Sequence, residues 1–193
     1  MVNVKFENIL AAFCSPVLFS KKVSNLVSIS KKEIPEVDAI IELYNLNLSE
    51  QGIKIEKMCE CENRALLLVY SRTDLIEHLK SEKVSEILFE YGYGESEKIG
   101  DYLDILKNRI AMEKFPHEIG LFLGYPLEDV LGFIRNSGRN YKYCGYWKVY
   151  GNTVEAKRLF SIYDDMKAFL IAELKRGREL NNIVAQFKNK CIA

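Results

Sequence analysis

The first thing this chain lacks is an excess of charge. Its 193 residues carry 27 basic and 27 acidic side chains, so no global field draws it onto nucleic acid or an anionic membrane. It also lacks any apolar run of the roughly 18 to 20 residues that span a bilayer. Glu7 and Asn8 interrupt the opening MVNVKFENILAAFC, where a secretory leader needs an unbroken apolar stretch. A cytoplasmic protein with no membrane association is expected. Disulfide spacing is missing too: five cysteines, Cys14, Cys59, Cys61, Cys144 and Cys191, are an odd number in no scaffold pattern, which fits reduced thiols. Cys191 stands third from the end, one position late for a prenylation box. Finally there is no G-x-x-x-x-G-K-[ST], H-E-x-x-H, G-x-S-x-G or dinucleotide fingerprint, so the cofactor, if there is one, is unknown.

What is present is enough apolar material for a core, 48% of the residues, and the length predicts one domain over residues 1–193. A helix is expected over residues 3–14, stopped near Pro16, then a strand over 25–30 and a helix opened by Glu33 and Pro35. GIKIEKMCEC and RALLLVYS, with only Glu62 and Asn63 between them, read as a hairpin. The second strand is apolar on both faces and so central. Helices follow over 73–93, with a break near Ser81 and an end at Gly92 and Gly94, and over 96–115. YCGYWKVYG reads as one strand, and Asn152 with Glu155 starts a long helix closed by Gly177. ELNNIVAQFKNK forms the last helix. The class is α+β: mostly helical, with one small mixed sheet of about three to five strands.

Residues 115–134, FPHEIGLFLGYPLEDVLGFI, concentrate unusual chemistry. Pro116 suits a first helical position and Glu118 the positive end of the dipole. Gly124 would take a left-handed stop, Tyr125-Pro126 a turn, and LEDVLGFIRN a second helix. The outline is a helix-turn-helix-like corner at 116–136, with a buried strand over 119–123 as the alternative. A reading helix needs Arg, Lys, Asn or Gln on its leading face; here it begins Leu-Glu-Asp-Val, and two carboxylates would face a polyanion. DNA binding is therefore disfavoured.

Several residues could carry chemistry. His117 at a helix mouth would be held neutral, fit to act as a base or a ligand, against the plainer reading of a surface or capping histidine. His78, mid-helix, reads as solvated. Cys14 or Cys144 could meet His117 as a thiol–imidazole or partial metal site, although free cysteines are most often packed in cores. Cys59 and Cys61 lack a second pair for zinc. Tyr125, Tyr146 and Trp147 could stack on a planar ligand. Taken as one strand, the aromatic run would put Tyr141, Tyr143 and Trp147 on one face and Tyr146 and Lys148 on the other.

FPHEIGLFLGYPLEDVLGFI followed by CGYWKVYGNTVEAKRLFSIY resembles an uncharacterised bacterial family, domain of unknown function 3793. The likeness is strongest from Phe115 to Tyr163, and CSPVL near the start also looks like a family feature. The resemblance singles out His117, Glu118, Gly124, Tyr125, Pro126, Gly145, Tyr146, Trp147 and Gly151. It carries no reaction, fold or cofactor; it implies anaerobic bacteria and a cytoplasmic setting. Around Pro16 the chain departs from the family pattern, with Ser15 and Val17 where a small residue and a threonine are expected. Two functions remain. The first is a protein binding a small molecule, metal or planar cofactor near His117 and GYWKVYG, with enzymatic use of a thiol/imidazole pair left open. The second is a non-catalytic interaction or regulatory module, with self-association open in either case.

Overall fold

Asn3 opens the first helix by turning its side-chain oxygen onto the Phe6 N–H, 2.9 Å away, satisfying one donor that a helix start leaves free. The computed structural model describes residues 3–112 and 115–192, with side chains as far as residue 188; the Cys191 thiol lies outside them. In chain order come α1 (Val4–Leu18), β1 (Ser24–Ser30), α2 (Val37–Asn47), β2 (Ile53–Glu60), β3 (Arg64–Ser71), α3 (Arg72–Leu79), α4 (Glu82–Glu90) and α5 (Ile99–Met112). Then follow α6 (Ile119–Phe122), α7 (Leu127–Arg135), β4 (Tyr143–Cys144), β5 (Lys148–Val149), α8 (Thr153–Lys175) and α9 (Leu180–Ile192). The class is α+β, mostly helical. Among the described residues every strand pairing is antiparallel, in two sheets of three and two strands rather than one mixed sheet. Among the described residues no helix is long and apolar enough to cross a membrane.

The chain divides into two compact units, one from Met1–Asp74 with Met166–Ala193, the other Leu75–Asp165. In the first, strand order is β1-β3-β2, which puts β3 at the centre, where Leu67, Leu68, Val69 and Tyr70 are all buried. Consecutive buried residues on a strand mean that both of its faces are covered. The β2 ladder slips between Lys57 and Cys59, a bulge that leaves Met58 buried. Pro16 does not stop α1. The proline removes one N–H from the ladder, but the apolar stripe continues through Val17 and Leu18, both buried, and Phe19 and Lys21 N–H groups reach Ser15 and Pro16 carbonyls. Phe19 stacks on Phe187 at 4.2 Å, fixing α9 to the end of α1.

In the second unit Ser81 separates α3 from α4, as expected. His78 is not solvated: it is half-buried, and its Nε2 lies 2.9 Å from the Leu121 carbonyl. A carbonyl only accepts, so this nitrogen carries the proton. Burial lowers the His78 pKa, with the Leu121 bond working against it. Glu118, 1% exposed, accepts from Arg109 and from the Tyr93 hydroxyl, so the acid at the head of α6 is an internal ion-pair acceptor. YCGYWKVYG is not one strand. It is a tight hairpin, β4 to β5, with Tyr143 opposite Val149 and Cys144 opposite Lys148, turned at Gly145-Tyr146-Trp147. The facing expected of a single strand therefore does not apply.

Candidate functional site

The corner at 119–135 is helical on both sides. Gly124 has φ +65°, and the N–H groups of Tyr125 and Gly124 return to the Gly120 and Leu121 carbonyls, a helix end that favours glycine. Pro126 then starts α7, its carbonyl taking the Asp129 and Val130 N–H groups. The two helices touch closely: a Cβ on Gly120 would come within 2.9 Å of Val130 Cγ2.

Asp129 ties this corner to the β4–β5 hairpin. Its Oδ1 accepts the N–H groups of Tyr150 at 2.7 Å and Gly151 at 2.8 Å, and its Oδ2 accepts the Trp147 indole N–H at 2.7 Å. The carboxylate is 4% exposed, and three donors to one anion are what make such burial tolerable. Asp129 thus points towards the hairpin, whereas the sequence alone puts it beside Glu128 on a leading helical face. Glycines allow the hairpin to sit this close. A Cβ on Gly132 would meet Tyr150 Cγ at 2.4 Å, and one on Gly145 would meet Phe160 Cε2 at 2.2 Å.

The hairpin delivers Trp147 against Tyr125, rings stacked at 4.9 Å, and edge-on to Phe160 at 4.5 Å. Val149, Ala156, Phe160 and Tyr163 complete that cluster. Beside it opens a cavity of about 380 Å³, lined by residues from Phe115 to Phe133 on one side and Cys144 to Lys148 on the other. Most of the wall is apolar or aromatic: Phe115, Ile119, Leu123, Tyr125, Val130, Phe133 and Trp147. The polar groups are His117, Cys144, Tyr146, Lys148 and the already engaged Asp129.

Five of the six residues singled out from the sequence, His117, Cys144, Tyr125, Tyr146 and Trp147, line this one cavity. His117 is exposed and sits edge-on to Phe133 at 5.2 Å. Cys144 is free and exposed, and among the described residues no hydrogen bond joins the two. Tyr146 donates to Asp164 at 2.8 Å, and burial pushes its phenol pKa up, with Asp164 adding to the rise. Tyr125 is pushed up to about 12, mainly by burial, so it stays a neutral phenol. Cys14 is not part of this wall. It is fully buried in the first unit, its thiol raised to about 12 by burial with Lys22 opposing, which makes it a core residue of low reactivity. Among the described residues no group of three His, Cys, Asp or Glu side chains could hold a metal ion.

Asp129, Phe133 and Lys148 escaped the sequence reading. A signal existed for Asp129: on a helix it shares a face with Gly132 and Phe133, three and four residues on. Lys148 takes its place from the hairpin turn, which the single-strand reading hid. The family model described as Protein of unknown function (DUF3793) matches residues 10–184. No curated protein and no solved structure matches.

Proposed function

From the premise that this chain belongs to the DUF3793 family of proteins of unknown function, we propose that it is a cytoplasmic small-molecule-binding protein that holds a planar ligand in the cavity beside Trp147. One observation carries the reading. Two successive segments, 115–133 and 144–148, are locked together through a buried carboxylate, and between them stands an aromatic-walled cavity of about 380 Å³. That volume is at the lower end of the roughly 300–1,000 Å³ typical of ligand pockets, and an apolar wall with a few polar groups is their usual lining. Tyr125 and Trp147, stacked on each other, both line the cavity, and a ligand ring packed against them gains aromatic contact energy. Binding has better support than thiol–imidazole catalysis, because His117 and Cys144 share the wall without bonding to each other. The rival helix-turn-helix function is weakened by the same geometry: the first turn of α7 faces the hairpin through Asp129, and α6 has four residues.

Trp147 is the only tryptophan and lines the cavity, so its emission reports occupancy directly. Titration with planar heteroaromatic compounds should give saturable changes in Trp147 emission and protect the exposed Cys144 thiol from a disulfide reagent. Cys144→Phe, placing a ring at the wall from an exposed position, should abolish the response and leave the melting temperature unchanged. A saturable response that survives Cys144→Phe would place binding elsewhere.

A further inference from the structure

We propose that the ligand of this cavity is a planar aromatic anion, its ring against the Tyr125–Trp147 wall and its phosphate or carboxylate group on the Lys148 ammonium. The inference rests on the cavity being a ligand site and adds the charge of what it takes. The chain as a whole is neutral, yet residues 135–158 carry six lysines and arginines against one carboxylate, Glu155. Arg158 occupies that carboxylate with two hydrogen bonds. Of these basic residues, Lys148 lies on the β4–β5 hairpin that forms one wall, and Lys142 stands just before it.

Among the residues that line the cavity Lys148 is the lysine. Its Nζ gives one hydrogen bond to the Gly138 carbonyl at 2.8 Å and lies 5.7 Å from the Phe133 ring and 5.0 Å from the Tyr141 ring. An ammonium has three donors, so two remain for a ligand, and among the described residues no carboxylate pairs with it. The rings and the carbonyl hold the charge without neutralising it, and one of those rings, Phe133, is itself part of the cavity wall. The one carboxylate in the wall, Asp129, does not compete, because both its oxygens are turned to the Trp147, Tyr150 and Gly151 N–H groups. A cation with spare donors beside an apolar, ring-lined space suits a molecule that is flat and apolar at one end and anionic at the other.

The test compares pairs of equal shape and unequal charge by calorimetry on the full-length protein: 2-naphthoate against 2-naphthamide, and AMP against adenosine. The carboxylate and phosphate arms separate the two sources of the anionic group. The anion of at least one pair should bind about tenfold or more tightly than its neutral partner at low salt, the ratio shrinking as salt rises. Lys148→Gln removes the charge and should bring the ratio towards one by weakening the anion. Lys148→Arg should retain the preference. Equal affinities within both pairs would overturn the anion assignment and leave the cavity reading standing, a preference that survives Lys148→Gln would overturn the role of Lys148, and no binding by any of the four would overturn both readings.

Discussion

A carboxylate that accepts three N–H groups is worth more to a fold than its exposure suggests, and Asp129 is such a group. Replacing it with Asn removes the charge and forces a choice. The amide can offer its oxygen to the Tyr150 and Gly151 N–H groups, but its NH2 then meets the Trp147 indole N–H, donor against donor. A hydrogen bond to a charged group contributes about 1.5–3 kcal/mol, and leaving a buried donor unmet costs a similar amount. Asp129→Asn should therefore lower unfolding free energy by about 3 kcal/mol in urea denaturation and change Trp147 emission, whereas Glu128→Gln, one residue earlier and exposed, should stay within about 0.5 kcal/mol. The two acids look alike in the sequence, both in the first turn of a helix. What separates them lies 18 to 22 residues away at Trp147, Tyr150 and Gly151, and no local pattern contains it.

Elements were legible where one periodicity ran uninterrupted. The 53–71 hairpin, the central β3 and the long α8 followed from alternation, a continuous apolar run and a capping pattern. Local reading failed where a single residue was given too much weight, as with Pro16 in α1, or where aromatic content was mistaken for strand length, as with β4–β5. There the turn is set by the Gly145 backbone meeting the Phe160 ring, a tertiary contact. Gly145→Ala would drive a Cβ into that ring, which is 6% exposed and packed against Trp147 and Tyr146, so it has little room to move. Overpacking of this kind costs about 1–3 kcal/mol, visible as a lower melting temperature, and Phe160→Leu should recover part of the loss. Gly100, inside α5 with nothing within 4 Å of an added Cβ, should behave oppositely: Gly100→Ala is expected to stabilise by up to about 1 kcal/mol.

At the scale of the molecule, the α+β class was readable because hydrophobic periods decide it, while the division into two units was not, since no linker composition marks Asp74 or Asp165. In each unit a titratable group withdrawn from water shows how the fold responds to acid. Glu7 in the first unit is 8% exposed, accepts from Tyr44 at 3.1 Å, and is raised above 4.5 chiefly by burial, with Glu179 adding to the rise. A raised folded pKa means that the native state holds its proton more tightly than the unfolded chain. That contribution is complete below pH 4.5 and is lost as pH climbs through the folded value. Glu7→Gln mimics the protonated acid, so it should be more stable than the parent at pH 7, the gap closing towards pH 4.5. His78 in the second unit has the opposite sign: lowered below 6.5, it contributes stability above that pH and loses it as pH falls towards the folded value, because the unfolded chain then binds the extra proton. His78→Gln keeps a donor for the Leu121 carbonyl and should flatten this part of the acid profile. Trp147 emission follows the second unit and hydrogen exchange in α1 follows the first, so one pH series of denaturant titrations reads both. A Glu7→Gln gain that grows on acidification, or a parent and His78→Gln with the same slope between pH 7 and 5, would show that these buried groups do not set the local response.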